Sequence, residues 1–296
     1  MERNIDSTTI ASSVDSSLLS EAAEAISQAD ALLIGAGAGM SADSGVATYR
    51  WQQAIWQRTV IIDGKEHALR SLNMPKLFIE RPEVAWGIYG ERLLSYRSVE
   101  PHLGYFLLHE WARQKPDGYF VFTSNVDGLF QRAGFAEESI VEFHGSLHHL
   151  QCSKPCSGAI WSAQNMELAV DEERQQATLF PHCPRCGAAA RPNVLMFGDG
   201  KYMRRRREEQ KNRYHHWLYT LPGKKVVTIE CGAGRAIPVV RWTCEDAMGR
   251  LQGALVRINP HETQKDFGHY VIPLPLGASE ALQSLHAIMY PEQTQS

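Results

Sequence analysis

Four of the six cysteines fall in two short-spaced pairs, Cys152-x3-Cys156 and Cys183-x2-Cys186, with 26 residues between the pairs. Thiolate pairs placed at turns can meet tetrahedrally around Zn2+. Four thiolates leave no open position on the ion, so such a site would be structural. The plain alternative, four independent thiols, suits poorly a Cys- and Pro-rich segment with little else to fold it. Cys231 and Cys244 have no such spacing, and Cys231, at the end of an apolar run, reads as a small core residue.

Three further stretches carry chemistry. In GAGAGMSADSG (Gly35 to Gly45), glycines directly after an apolar run let the backbone approach a pyrophosphate, and the helix that follows offers free N–H groups. The spacing is not the G-x-G-x-x-G of dehydrogenases, so a dinucleotide fits but hydride transfer is not indicated. A tight turn that holds no ligand would also need these glycines. In TSNVDGLFQRAG (Thr123 to Gly134), Asn125 and Asp127 can orient sugar hydroxyls or a carboxamide, or can simply cap the loop. In VEFHGSLHHLQC (Val141 to Cys152), Gly145 leaves the preceding His144 accessible, and an imidazole titrating near neutrality suits a general base. His148 and His149 sit close enough to Cys152 to be rival metal ligands. Exposed histidines leading into the metal segment are the expected outcome.

These residues must be positioned by regular elements. Leu19, Ala22, Ala23 and Ile26 repeat at i, i+3, i+4 and i+7, which predicts a helix after Ser17 as N-cap. The run Ala31 to Gly35 is a short buried strand feeding the glycine-rich turn. Gly118 to Phe122 predicts a second strand, ending at the Asn125 loop, where parallel sheets bind ligands. Further strands are expected at VLMF (Val194 to Phe197), KVVTIE (Lys225 to Glu230) and ALVRIN (Ala254 to Asn259). Apolar strands alternating with helices imply an α/β fold, a Rossmann-like parallel sheet with helices on both faces. That domain would comprise residues 17–50, 101–148 and 191–288. A helical insertion is expected over 51–100, with Pro82 at a first helical position, and a zinc-binding module over 149–190. Residues 1–16 and 289–296 read as flexible termini.

The 296 residues suit about two domains, or one with an insertion. A net charge of −3 provides no global field for nucleic acid or anionic lipid. The charge run Arg204 to Arg213 reads as a solvated helix face, with Arg204–Glu208 and Arg205–Glu209 at i, i+4. No apolar run is long enough to span a bilayer, and the Ser/Thr-rich start lacks the apolar core of a secretory signal. A cytoplasmic protein with reduced thiols is the expectation.

Taken in order, the motifs resemble the sirtuin family of NAD-dependent protein deacylases, as a divergent bacterial-type member, over roughly residues 30 to 260. The family's GAGxSxxSG appears as Gly37 to Gly45, its T-Q-N-I-D as Thr123 to Asp127, its H-G as His144-Gly145, followed by the four cysteines. Its R-P-x-(apolar)-F-G-E strand appears as Arg191 to Asp199. The resemblance implies catalysis by His144, Asn125 and Asp127, with His144 deprotonating a ribose hydroxyl. It implies NAD contacts from Gly37, Ala38, Gly39, Ser41, Tyr49, Arg50, Ser124, Gly232, Ala233 and Asn259. It further implies a structural zinc on Cys152, Cys156, Cys183 and Cys186. An acylated protein or peptide would be clamped by strand addition at Val194, Phe197 and Gly198.

The chain departs from the family pattern at several of these places. The family's I-P-D-F-R is Val46-Ala47-Thr48-Tyr49-Arg50, its loop Gln is Ser124, and its G-T-S is Gly232-Ala233-Gly234, where the backbone remains but the hydroxyls do not. Lysine deacylation that releases nicotinamide and O-acyl-ADP-ribose is the leading expectation. ADP-ribosyl transfer or NAD hydrolysis on the same fold is the second, and a non-catalytic NAD or ADP-ribose sensor is the third. A sensor has no use for a general base, which His144 would supply.

Overall fold

The computed structural model of the chain describes residues 15–46, 59–62, 64–171, 173–263 and 270–292. Helix α1 (Ser16–Gln28) starts at Asp15, whose carboxylate accepts from the Ser17 amide at 2.9 Å. The cap is therefore Asp15, two residues before Ser17. Ala22, Ala23 and Ile26 are buried as the spacing predicted. Strand β1 (Ala31–Ala36) is buried along its whole length and runs into the five-residue α2 (Ala38–Ala42).

The next segment is not purely helical. Its described part opens with the antiparallel hairpin β2 (Thr59–Ile62) and β3 (Lys65–Ala68), then α3 (Leu69–Leu72), α4 (Leu77–Glu80) and the long α5 (Pro82–Ser98). Pro82 opens α5, where its missing N–H costs nothing. The carbonyls at the other end of α5 are met by Arg132, which donates to Arg97 and Val99.

The main sheet then continues through α6 (Leu103–Arg113), β4 (Tyr119–Thr123), α7 (Leu129–Arg132) and β5 (Ile140–Glu142). A smaller β region follows, made of β6 (Gly145–Cys152), β7 (Ile160–Ser162), β8 (Ala169–Asp171), β9 (Gln176–Leu179) and β10 (Ala190–Val194). The chain returns through α8 (Arg205–Tyr219), β11 (Val226–Cys231), α9 (Val239–Leu251), β12 (Ala254–Ile258), β13 (Val271–Leu274) and α10 (Ala278–Met289). The β10 strand lies earlier than the apolar run VLMF suggested. Pairing with β6 ends at Val194; Leu195 N–H still donates to the His144 carbonyl at 2.8 Å, and the turn begins at Phe197.

Six strands form one all-parallel sheet in the order β13-β12-β11-β1-β4-β5. The chain winds outward in one direction from β1 and, later, in the other from β11. The C-terminal ends of β1 and β11 thus flank a topological switch point, the place where such sheets bind ligands. Side chains alternate between two cores, as the pleat requires. Leu32, Ile34 and Ala36 pack with α1, α6 and α10, while Leu33 faces Phe120, Tyr214 and Cys244 beneath α8 and α9. Arg257 in β12 crosses to Glu230 at 2.7 and 3.0 Å and to Glu245 of α9 at 2.7 Å, all buried. The pair sits beneath the glycine turn, since Glu230 is opposite Gly35 in the register.

A third core joins the helical segment to the small β region. Phe78, Trp86 and Tyr89 pack with Leu147, Leu150 and Ala177. Trp86 donates to the Ala190 carbonyl at 2.8 Å. A Cβ on Gly87 would stand 2.1 Å from the Gln175 carbonyl oxygen, so only glycine lets the β8–β9 hairpin lie on α5.

Candidate functional site

The turn after β1 packs backbone to backbone against the turn after β11. Gly37 N–H donates to the Cys231 carbonyl at 3.0 Å and Gly39 N–H to that of Gly232 at 3.1 Å. A Cβ on Gly37 would lie 2.6 Å from the Gly232 oxygen, and one on Gly39 would lie 2.7 Å from the Gly232 Cα. Gly232 itself has φ +60, on the left-handed side. These glycines are thus explained by the meeting of two loops. On this side the two turns touch without room for a side chain. Ala38 and Ser41, by contrast, line a cleft together with Ser124, Asn125, Val126 and Asp127, closed on one side by Val46 and Tyr96.

Strand β4 delivers the second loop to the same place. Thr123 Oγ1 donates to the Ala36 carbonyl and accepts from Asn125 N–H, both at 3.0 Å, which pins the loop to the end of β1. Asn125 Nδ2 then donates to the Gly37 carbonyl at 3.0 Å and to Ser41 Oγ at 2.9 Å. Ser41 donates its one proton to Asp127 Oδ2 at 2.6 Å, so Tyr105, 3.0 Å from Ser41, must donate to it. Asp127 Oδ1 accepts from Leu129 N–H at 3.0 Å. Both Asp127 oxygens are acceptors, which is the pattern of a carboxylate. Burial pushes its pKa up, and the bonds from Ser41 and Leu129 oppose that push.

His144 follows β5 and faces this loop. Its Nδ1 lies 3.2 Å from the Ser124 carbonyl. A carbonyl only accepts, so Nδ1 carries the proton and Nε2 keeps its lone pair. Burial lowers the imidazole pKa, the Ser124 carbonyl opposes this, and the positive charge of Arg207 adds to the lowering. Gly145 has a reason other than access: its φ is +84, and a Cβ there would stand 2.0 Å from the Asn193 carbonyl oxygen of β10.

The other histidines are not metal ligands here. His148 Nε2 donates to the Asp127 carbonyl at 2.7 Å and its ring covers Gly128, so it props the Asn125–Asp127 loop. His149 is half-buried, and burial takes its pKa down to about 4.

The four paired cysteines do converge. Their sulfurs all lie within 4.8 Å of one another, with Cys152–Cys186 and Cys156–Cys183 each at 3.6 Å. A tetrahedral ion with Zn–S near 2.3 Å needs sulfurs about 3.8 Å apart, close to the spacing of this donor set. Among the described residues this is the one cluster of His, Cys, Asp or Glu so arranged.

The remaining positions scatter around these centres. Val194 ends β10, the edge strand of a three-stranded sheet, and Phe197 (56% exposed) and Gly198 (φ +66) follow in the adjoining turn. Asn259 ties together the two loops that follow β11 and β12. Its Nδ2 donates to the Ala233 carbonyl at 3.1 Å and its Oδ1 accepts from His261 and Glu262 N–H, so it braces the loops after β11 and β12. Ala233 is buried against α9. Tyr49 and Arg50, with Ala47 and Thr48, lie outside the described residues. Two participants escaped the sequence reading. Tyr105 sits in an apolar helical stripe and so looks like core, and Arg207 sits in a charge run that looks solvated.

A family model described as the Sir2 family matches residues 37–222. An NAD-dependent protein deacylase of Aeropyrum pernix is 32% identical over 165 residues, 55% of this chain and 58% of the relative. Those of Leptospira interrogans and Pyrococcus abyssi are 31% and 30% identical, each over 55% of this chain and over 58% and 59% of their own lengths. The chain thus spans a little under three-fifths of the curated relatives it matches. Among solved structures, a Sir2 homologue in complex with NAD superposes with a TM-score of 0.67 at 24% identity, over 96% of both chains. A Sir2 homologue bound to ADP-ribose gives 0.68 at 22%, over 96% of this chain and 99% of the other.

Proposed function

Because the chain belongs to the Sir2 family, we propose that it is an NAD-dependent protein lysine deacylase, releasing nicotinamide and an O-acyl-ADP-ribose. The observation that carries this reading is His144: Nδ1 is committed to the Ser124 carbonyl, and the free Nε2 stands beside the Asn125–Asp127 loop at the sheet's switch point. A binding protein has no need of an imidazole held in its basic tautomer.

The dinucleotide would enter as co-substrate, and the cleft lined by Ala38, Ser41, Ser124, Asn125 and Asp127 has the polar groups to receive its ribose and carboxamide. NAD supplies the glycosidic bond that is broken. Residues of this chain would do the rest. His144 Nε2 takes a proton from a ribose hydroxyl, Asn125 orients that ribose, and the Asp127 carboxylate, fixed by Ser41, receives the carboxamide N–H. Gly37, Gly39, Gly232, Ala233 and Asn259 hold the two loops in place and would offer their backbone and side chain to the dinucleotide there. Zinc, held by the four cysteines, would fold the small β region without touching substrate. An acylated protein segment would pair with the exposed continuation of β10 at Val194, Phe197 and Gly198. Reduced cysteines suit a cytoplasmic setting, and among the described residues no helix is long and apolar enough to cross a membrane. Nucleic acid is not an expected partner, because Arg205, Arg206 and Arg207 all have carboxylate partners.

Incubation with NAD and acylated peptides tests the reading. Peptide-dependent nicotinamide release supports it, and release that ignores the peptide favours NAD hydrolysis. The second reading, hydrolysis or ADP-ribosyl transfer, has one observation in its favour: Ala47-Thr48 stands where the family pattern has Pro and Asp. The ratio of deacylated peptide to nicotinamide separates the two.

A further inference from the structure

Helix α8 brings a cation to the imidazole. The Arg207 guanidinium carbon is 5.2 Å from the centre of the Phe143 ring and 5.3 Å from that of Tyr202, and its side chain is only 12% exposed. The Phe143 ring in turn meets the His144 imidazole edge-on at 5.4 Å. Two aromatic faces hold a guanidinium in place with a favourable charge–quadrupole contact. We propose that Arg207 is a positioning residue that keeps the His144 imidazole neutral and ready to accept a proton. The proposal rests on reading His144 as the general base.

The physical reason is short range and low dielectric. A second positive charge near a buried imidazole disfavours imidazolium, and little water is present to screen it. Burial already lowers the His144 pKa, and Arg207 acts in the same direction. The carboxylates nearby are held by partners of their own, Asp127 by the Ser41 hydroxyl and the Leu129 N–H. Glu142, two residues before His144, is buried against Arg206. Asp199 is held by Arg191. The Tyr202 phenol, its pKa pushed up to about 12 by burial, stays neutral. Glu208 pairs with Arg207 at 3.1 Å but is 45% exposed, and Lys211 takes its other oxygen at 3.1 Å. The trio Arg207, Glu208 and Lys211 keeps a net positive charge, and its most buried member, Arg207, lies on the Phe143 ring that meets the imidazole.

The test follows the His144 ring by NMR across pH, its resonance identified by its loss in His144→Gln. Titration needs no turnover, so it reads this proposal even if no deacylation is found. Arg207→Met should raise the His144 midpoint, and the acid limb of NAD turnover with it, by about 0.5–1 pH unit. Arg207→Lys, which keeps the charge, should restore most of the wild-type position. Arg205→Gln removes the same charge from a side chain that is 66% exposed, and should move nothing. Glu208→Gln, a surface change with little risk to folding, should lower the midpoint by a few tenths. An unmoved His144 in both Arg207→Met and Glu208→Gln would overturn the proposal. So would an equal shift in Arg205→Gln.

Discussion

Arg191 and Asp199 grip each other through two hydrogen bonds, 2.8 and 3.0 Å, with both side chains completely buried. The pair closes a turn that starts at the end of β10. Asp199 Oδ1 also accepts from Lys201 N–H at 3.1 Å, so one carboxylate sets the backbone on either side of Phe197 and Gly198. The turn that presents exposed Phe197 is thus anchored by a buried ion pair.

Removing one partner leaves the other charge buried. Asp199→Asn should destabilise the protein by about 3–5 kcal/mol, read as the midpoint of urea unfolding. A double change, Arg191→Met with Asp199→Leu, should recover part of that loss. It should leave the affinity for an acylated peptide weakened, because the turn loses its anchor.

His144→Ala should lower NAD turnover by about 10²–10⁴-fold, the usual contribution of a positioned base, while NAD still binds. Calorimetric titration alongside a nicotinamide assay checks both halves. Unchanged nicotinamide release would assign the proton transfer to another group.

His149 links folding to pH. Its folded pKa, about 4, lies below the ordinary 6.5, so the unfolded chain binds the proton first as pH falls. Its contribution is complete above pH 6.5 and is lost between 6.5 and 4, on the order of 3 kcal/mol before screening and less after it. His144 acts in the same sense. Buried Asp127, Glu142 and Glu230 are pushed upward and act in the opposite sense. The diagnostic quantity is thus the difference between wild type and His149→Gln, measured by urea unfolding at pH 7.5 and 5. That difference should shrink or reverse at the lower pH.

Cys183→Ser should release one equivalent of zinc and lower the melting temperature, since the metal supplies folding free energy to a segment with little core of its own. Metal analysis and thermal melting check this. Well-folded protein that holds no zinc would refute the assignment.

Local patterns made much of this architecture legible. The run Ala31 to Gly35 could only be a buried strand, and it led to the right turn. The spacing of four cysteines foretold a cluster that the fold assembles across 26 intervening residues. What could not be read depends on partners distant in the chain. Gly37 and Gly39 carry the signature of a phosphate turn, yet the atoms that exclude a Cβ belong to Gly232 and Ala233. Asn259, expected among the NAD contacts, also holds three backbone groups of the loops after β11 and β12, which no local pattern announces. Arg207 sits in a run of charges that i, i+4 arithmetic assigns to solvent. In the fold Glu208 pairs with Arg207 and Lys211, and Arg207 lies across two aromatic rings. A charge pattern records which faces a helix has, but not which of them meets an aromatic wall.

The close seat of the β8–β9 hairpin on α5 has a consequence for how this molecule can be rebuilt. The cysteine-bearing stretch is not a cassette. Transplanting it from a relative would bring a hairpin cut for a different helix, and the 2.1 Å that only Gly87 permits leaves no slack for a mismatch. Trp86, which donates to the main-chain carbonyl at Ala190, would find that acceptor placed by a different backbone in the same exchange. The metal knot and the helical insertion, far apart in the chain, must be inherited as a pair.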